Sequence, residues 1–235
     1  MGLGDISSNL ITLTAALPKW FKGAVCGAAI HGFKFHTSPQ YKKVNIMKKL
    51  VVANFQYKEL DDAVVINTTS RAFGWSRGLS PFLLGPVKLY GDYIAQNVEN
   101  GWQYSKLFVQ YADGNNDPGP AYFEWAKKGW DKKFADRYPM GRGQKPLCSI
   151  WDGKKLGYVE ARRQIYIPLY SASVKDTPAF KQLKETFEST KFLVLQDFDA
   201  HNINVVDYDF DKLIDNENIK VGHGYVLAMM LLGII

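Results

Sequence analysis

Three residues in the stretch ENGWQYSKLF have the types and spacing for chemistry: Glu99, Trp102 and Lys106, at i, i+3 and i+7. On a helix this spacing puts a carboxylate, an indole and an amine on one face about two turns long. A buried acid and a buried lysine flanking an aromatic are costly in a plain core and suit a pocket that handles something flat and polar. The plain alternative is a solvated amphipathic face with a satisfied Glu–Lys pair.

Other segments carry weaker signals. In PMGRGQKPL, Gly141 and Gly143 flank Arg142 and Lys145 follows, so backbone N–H groups and two cations can face a phosphate. The spacing is neither a Walker loop nor a dinucleotide fingerprint. Asp197, Asp199 and His201 follow the apolar run KFLVLQ, either as an acidic loop at a strand end or as a ribose or cation contact. Gly222-His223-Gly224 precedes a strongly apolar segment; glycines there allow close approach and a helix N-terminus favours an anion, while His223 alone suits capping or packing as well as base chemistry. No second His or Cys stands at ligand spacing, so no structural metal is expected.

The surrounding elements follow from pattern. KLVVANF and AVVINTT read as strands separated by KELDD. Residues 71–81 read as an irregular aromatic loop carrying Ser80 and leading past Phe82 to a short strand at Val87–Tyr90. Helices are expected over Val98–Tyr111, Ala121–Phe134, Gly157–Tyr170 (ending near Pro168) and Thr177–Thr190, with KFLVLQ a buried strand and YVLAMMLLGII a buried helix. Residues 1–46 show no clean period. They read as an extension ahead of Met47, an alternative start, or as an ordinary N-terminal subdomain.

Of 235 residues, 46% are apolar and 22% charged, as in a globular protein. The net charge of +6 is concentrated at the front. Residues 1–46 hold five lysines and one acid, leaving +2 for the rest, which weakens a nucleic-acid reading. Cys26 and Cys148 are too few for a disulfide framework, and the longest apolar run, 11 residues, is too short to span a bilayer. A cytoplasmic protein with no membrane partner is expected.

The order of these motifs resembles the NADAR superfamily, over about residues 70–232. Leu79-Ser80-Pro81-Phe82 and Gly85-Pro86-Val87-Lys88-Leu89-Tyr90-Gly91 are similar to its first signature. Glu99 and Lys106 keep its Glu-to-Lys step of seven, with Trp102 at the aromatic place. Gly141, Arg142, Lys145, Pro146, Leu147 and Trp151 follow its GR-x-x-KPL…W segment; Glu160, Ala161 and Tyr166 match a later helix, and GHGYVLAMML a final Gly-rich turn into an apolar helix. Relatives have EHYF where this chain has ENGW, so Asn100 replaces a histidine and Gly101 loosens the helix start; such departures also fit a divergent, phage-encoded branch.

The resemblance implies a mainly α fold with a few short strands (α+β), a NADAR-like domain at 47–235 behind the 1–46 extension. It also implies cleavage of a ribose–base N-glycosidic bond, with removal of ADP-ribose from a modified nucleobase and no cofactor. Lys106 would be the amine that attacks the anomeric carbon and Glu99 the proton shuttle. Ser80, Phe82, Trp102, Arg142, Lys145, Trp151, Gly222, His223 and Gly224 would contact substrate. The partner would be an ADP-ribose-type nucleotide, alone or on ADP-ribosylated nucleic acid. The alternative is a non-catalytic module that binds or sequesters ADP-ribose or NAD. Desolvation lowers a lysine's proton affinity and a close carboxylate raises it, so the chemistry needs Glu99 protonated at rest.

Overall fold

The structure is a computed structural model that describes residues 48–235; the 1–46 extension and Met47 lie outside the described residues. In chain order the elements are β1 (Lys49–Ala53), β2 (Val64–Asn67), β3 (Val87–Lys88), β4 (Ile94–Ala95), α1 (Val98–Gln103), β5 (Lys106–Leu107), α2 (Pro120–Trp130), β6 (Cys148–Trp151), β7 (Lys154–Leu156), α3 (Tyr158–Ala161), α4 (Ile167–Val174), α5 (Pro178–Ser189), β8 (Phe192–Gln196), β9 (Ile203–Asn204), α6 (Phe210–Asp215) and α7 (His223–Leu231). Helices and short strands mix in an α+β arrangement.

The β-branched runs build the main sheet, in the order β2-β8-β1-β9. β8 lies parallel to both β1 and β2, and β9 closes the far edge antiparallel to β1. Being central, β8 buries Leu193, Val194 and Leu195 completely, as a strand covered on both faces must. The period of two divides β1: Leu50 and Val52 join the helix-side core, while Val51 and Ala53 pack with Val194 under Tyr57, Leu60 and Ala63. α7, buried from His223 to Met229, packs against β1, β8 and α4. The three parallel strands therefore end at one edge, where loops after parallel strands gather ligands.

A second sheet, β5-β6-β7, is antiparallel and pairs Lys106 with Ser149. This corrects the expected helix over Val98–Tyr111. α1 ends at Gln103, Ser105 Oγ donates back to the Trp102 carbonyl at 2.8 Å, and the chain extends into β5. The stretch after Ser105 is β-prone (Leu107, Phe108, Val109), and pairing with β6 overrides the helical spacing. A 3-10 turn over Val109–Tyr111 follows.

Two further expectations change. Residues Gly74–Leu79 in the aromatic loop form a 3-10 helix. The helix expected to stop near Pro168 continues to Val174, because Arg162–Tyr166 widen into a π turn between α3 and α4. Ile167 N–H bonds the Arg162 carbonyl five residues back, and the widened turn accommodates a proline that cannot donate. α5 begins as expected, with the Thr177 side chain accepting from Phe180 N–H.

Candidate active site

A cleft of about 760 Å³ opens at the carboxyl edge of the parallel strands. Thr69, Ser70 and Arg71 enter it after β2, and Asp197, Phe198 and Asp199 after β8. Its opposite wall comes from α1, β5 and the loop from Arg137 to Pro146.

Glu99 sits in the first turn of α1 and is 6% exposed. The helix start is fixed by Asn97, whose side chain accepts from Asn100 N–H. Two more of its backbone N–H groups are taken by the preceding loop: Val98 N–H donates to the Leu84 carbonyl and Glu99 N–H to that of Pro81. This stapling carries Ser80 and Phe82 to the cleft beside Glu99.

Although Lys106 is on a strand rather than on α1, the two groups meet through Gln103. Lys106 Nζ donates to Gln103 Oε1 at 2.7 Å, and Gln103 Nε2 donates to Glu99 Oε1 at 2.8 Å. Only this orientation of the amide gives the carboxyl a donor and the amine an acceptor. Lys106 Nζ also lies 4.6 Å from the centre of the Trp102 ring, and Trp102 packs on Tyr166 at 5.3 Å. Burial pushes the Lys106 amine down to about 8, against the opposing pull of Glu99 and Asp199. Burial pushes the Glu99 carboxyl up, against the Gln103 hydrogen bond and the charges of Lys106 and Arg137. Both members of the pair are thus driven toward their neutral forms.

The cleft mouth is basic and aromatic. Arg142 and Lys145 line it, exposed, and neither has an acidic partner among the described residues. Arg142 lies 5.6 Å from the Tyr138 ring; Gly141 and Gly143 adopt φ of +94° and +89°, conformations that favour glycine. The Gly141 N–H is already bonded to the Tyr138 carbonyl. Phe198, half exposed, stands between the guanidinium groups of Arg71 and Arg137 at 5.7 and 5.5 Å.

Of the residues expected from sequence, Glu99, Lys106, Ser80, Phe82, Trp102, Arg142, Lys145, Gly222 and His223 line this one cleft. Trp151 does not: it sits in β6 against Tyr90 at 4.9 Å, as core packing. Gly224 is also outside. Its N–H donates to Asp197 Oδ2 at 3.0 Å, and a Cβ there would approach Val52 and Asp197, so the anion held by the start of α7 is the protein's own Asp197. Both nitrogens of His223 point inward, Nδ1 to Asp197 at 3.2 Å and Nε2 to the Thr68 carbonyl at 2.9 Å.

The expected weak points of α1 face elsewhere. Asn100 is fully buried and holds the segment before Arg137, donating to the Lys132 and Phe134 carbonyls and accepting from Asp136 N–H. Gly101 lies inside the helix where a Cβ would meet Leu169 at 2.9 Å and Leu89 at 3.0 Å, a close approach rather than a loose start. Gln103, Arg137 and Phe198 were not among the expected contacts, while Asp197 and Asp199, expected either as an acidic loop or as a ribose or cation contact, line the cleft. The signal for Asp197 was its place directly after a buried strand; Gln103, Arg137 and Phe198 carry no such signal.

Residues 48–211, more than half of the chain, match the model of a family described as a family of unknown function (DUF6939), and the chain belongs to that family. No curated protein and no solved structure matches it. The matched span includes Glu99, Lys106 and Asp197 and stops before His223. Among the described residues no helix is long and apolar enough to cross a membrane, and no group of three or more His, Cys, Asp or Glu side chains could hold a metal ion.

Proposed function

We propose that the cleft cleaves a ribose–base N-glycosidic bond, releasing an ADP-ribose-type group from a modified nucleobase. The observation that carries this reading is the Glu99–Gln103–Lys106 relay under Trp102, in which burial drives acid and amine toward neutrality together. The resemblance of the motif order to the NADAR superfamily, which includes these same residues, also supports it.

Burial, which pushes the Lys106 amine down to about 8, brings its unprotonated form within reach near neutral pH. In the proposed reaction its lone pair forms a bond to the anomeric carbon while the C–N bond to the base breaks, its electrons leaving with the base. Glu99 gives its proton to the departing nitrogen and then takes one from the water that releases the sugar. Trp102 supplies a flat face beside the reacting centre, and Arg142 and Lys145 at the mouth suit a pyrophosphate.

The test is incubation of the full chain with ADP-ribosylated guanine DNA, ADP-ribose and NAD, with products read by mass spectrometry. Free base or intact guanine DNA with released ADP-ribose supports the reading. Recovery of every ligand unchanged, with one of them tightly bound, replaces it with a sequestering protein.

A further inference from the structure

The end of β8 carries a group the relay leaves unused. Asp197 is 3% exposed and lines the cleft. Both contacts it receives reach one oxygen: Gly224 N–H donates to Oδ2 at 3.0 Å and His223 Nδ1 stands 3.2 Å from it. The His223 ring is held from behind by Thr68, whose carbonyl and Oγ1 lie 2.9 and 2.8 Å from Nε2. The Thr68 hydroxyl itself donates to the Gln196 carbonyl at 2.9 Å, so Nε2 gives a hydrogen to Thr68, and the ring donates to Asp197 Oδ2 only in the form that carries a hydrogen on Nδ1 as well. Gly222 leaves room for this packing, since a Cβ there would lie 2.2 Å from Oδ2. His223 is therefore a positioning residue.

Among the described residues nothing donates to Asp197 Oδ1. Oδ1 is not one of the buried unpaired atoms, so it opens to the cleft and is free to accept from a ligand there. A cation is the poorer complement. The neighbouring Asp199 is already matched by Arg137 at 2.9 Å and Lys220 at 3.8 Å, so this edge has no surplus negative charge. A neutral donor fits, and one oxygen with two lone pairs can accept from two adjacent hydroxyls.

We infer that Asp197 Oδ1 is the acceptor for the vicinal hydroxyls of a ribose-type ligand, held in place by His223 and Gly224 N–H. This rests on the reading above for the identity of the sugar. Asp197→Asn is the informative change. Gly224 N–H keeps an oxygen at the inner position, so the amide nitrogen faces the cleft and an acceptor becomes a donor.

The experiment titrates D-ribose 5-phosphate and 2-deoxy-D-ribose 5-phosphate into the full chain and into Asp197→Asn by calorimetry. The parent should prefer the ribose form by about 10- to 100-fold, the value of a hydrogen bond to a charged acceptor. The variant, melting like the parent, should bind the two within about twofold of each other. Equal affinities in the parent, no binding of either sugar, or a preference kept by Asp197→Asn would overturn the inference. Should the variant not fold, the parent's own preference decides. Release of ADP-ribose from ADP-ribosylated guanine DNA, followed on the same preparation, separates the two ideas: a sugar preference without ADP-ribose release removes the glycosidase and leaves Asp197 its role.

Discussion

At the scale of single residues, the central feature is a pair that shares one proton. The reactive form needs Glu99 protonated and Lys106 neutral, and this form exists only while the pair holds one proton in total. Activity should therefore rise with pH through the raised Glu99 value, above the ordinary carboxyl range, and fall again near 8 as the pair loses its last proton. In Glu99→Gln only the amine titrates. The residual rate, lower by ~10²–10⁴-fold, should then climb with pH to a plateau rather than fall. A variant whose alkaline limb still falls would remove Glu99 as the proton donor. Arg142 contributes less than a buried cation would, because it is exposed at the mouth. Arg142→Ala should weaken ADP-ribose binding about fivefold at low salt and less at high salt, by calorimetry. An unchanged affinity at low salt would make its loop only a connector.

At the scale of elements, Lys106 is placed by packing behind the strand. Tyr104 and Ser105 lead into β5, and Tyr104 lies flat against α2, where a Cβ on Gly129 would come within 2.0 Å of its ring. The ring cannot retreat, because its hydroxyl donates to Asp136 and accepts from Lys132. Gly129→Ala should cost about 2–3 kcal/mol in chemical denaturation and lower activity with it; a neutral substitution would show that Tyr104 is free to move. The same region shows what the sequence made legible. β1, β2 and β8 announced themselves through β-branched runs and turn signals, and α5 and α7 through apolar patterning and clear starts. The i, i+3, i+7 spacing correctly grouped Glu99, Trp102 and Lys106 in one cleft but for the wrong reason: a short helix, a back-bonded Ser105 and a strand bring them together. Strand pairing with residues some forty positions later leaves no local trace, and neither does a bridging glutamine. Trp151 matched a motif yet packs on Tyr90, since a short motif fixes residue type and not which face the residue takes.

At the scale of the whole molecule, the cleft is built from residues within 69–223, and the buried core described runs from Leu50 to Met229. A chain beginning at Met47 should therefore unfold in one cooperative transition by circular dichroism. A broad, non-cooperative melt would mean that residues 1–46 supply core. Reductive trapping asks outright whether Lys106 bonds the anomeric carbon. Borohydride added while the full chain turns over ADP-ribosylated guanine DNA would deliver hydride to an imine between Lys106 and the opened sugar. Intact-mass and peptide analysis should find the sugar on Lys106 in the parent. Lys106→Arg, whose guanidinium stays protonated, should give no adduct and no ADP-ribose release while still binding ADP-ribose. Full hydrolytic rate in Lys106→Arg, with no adduct on the parent, would rule out covalent attack by Lys106.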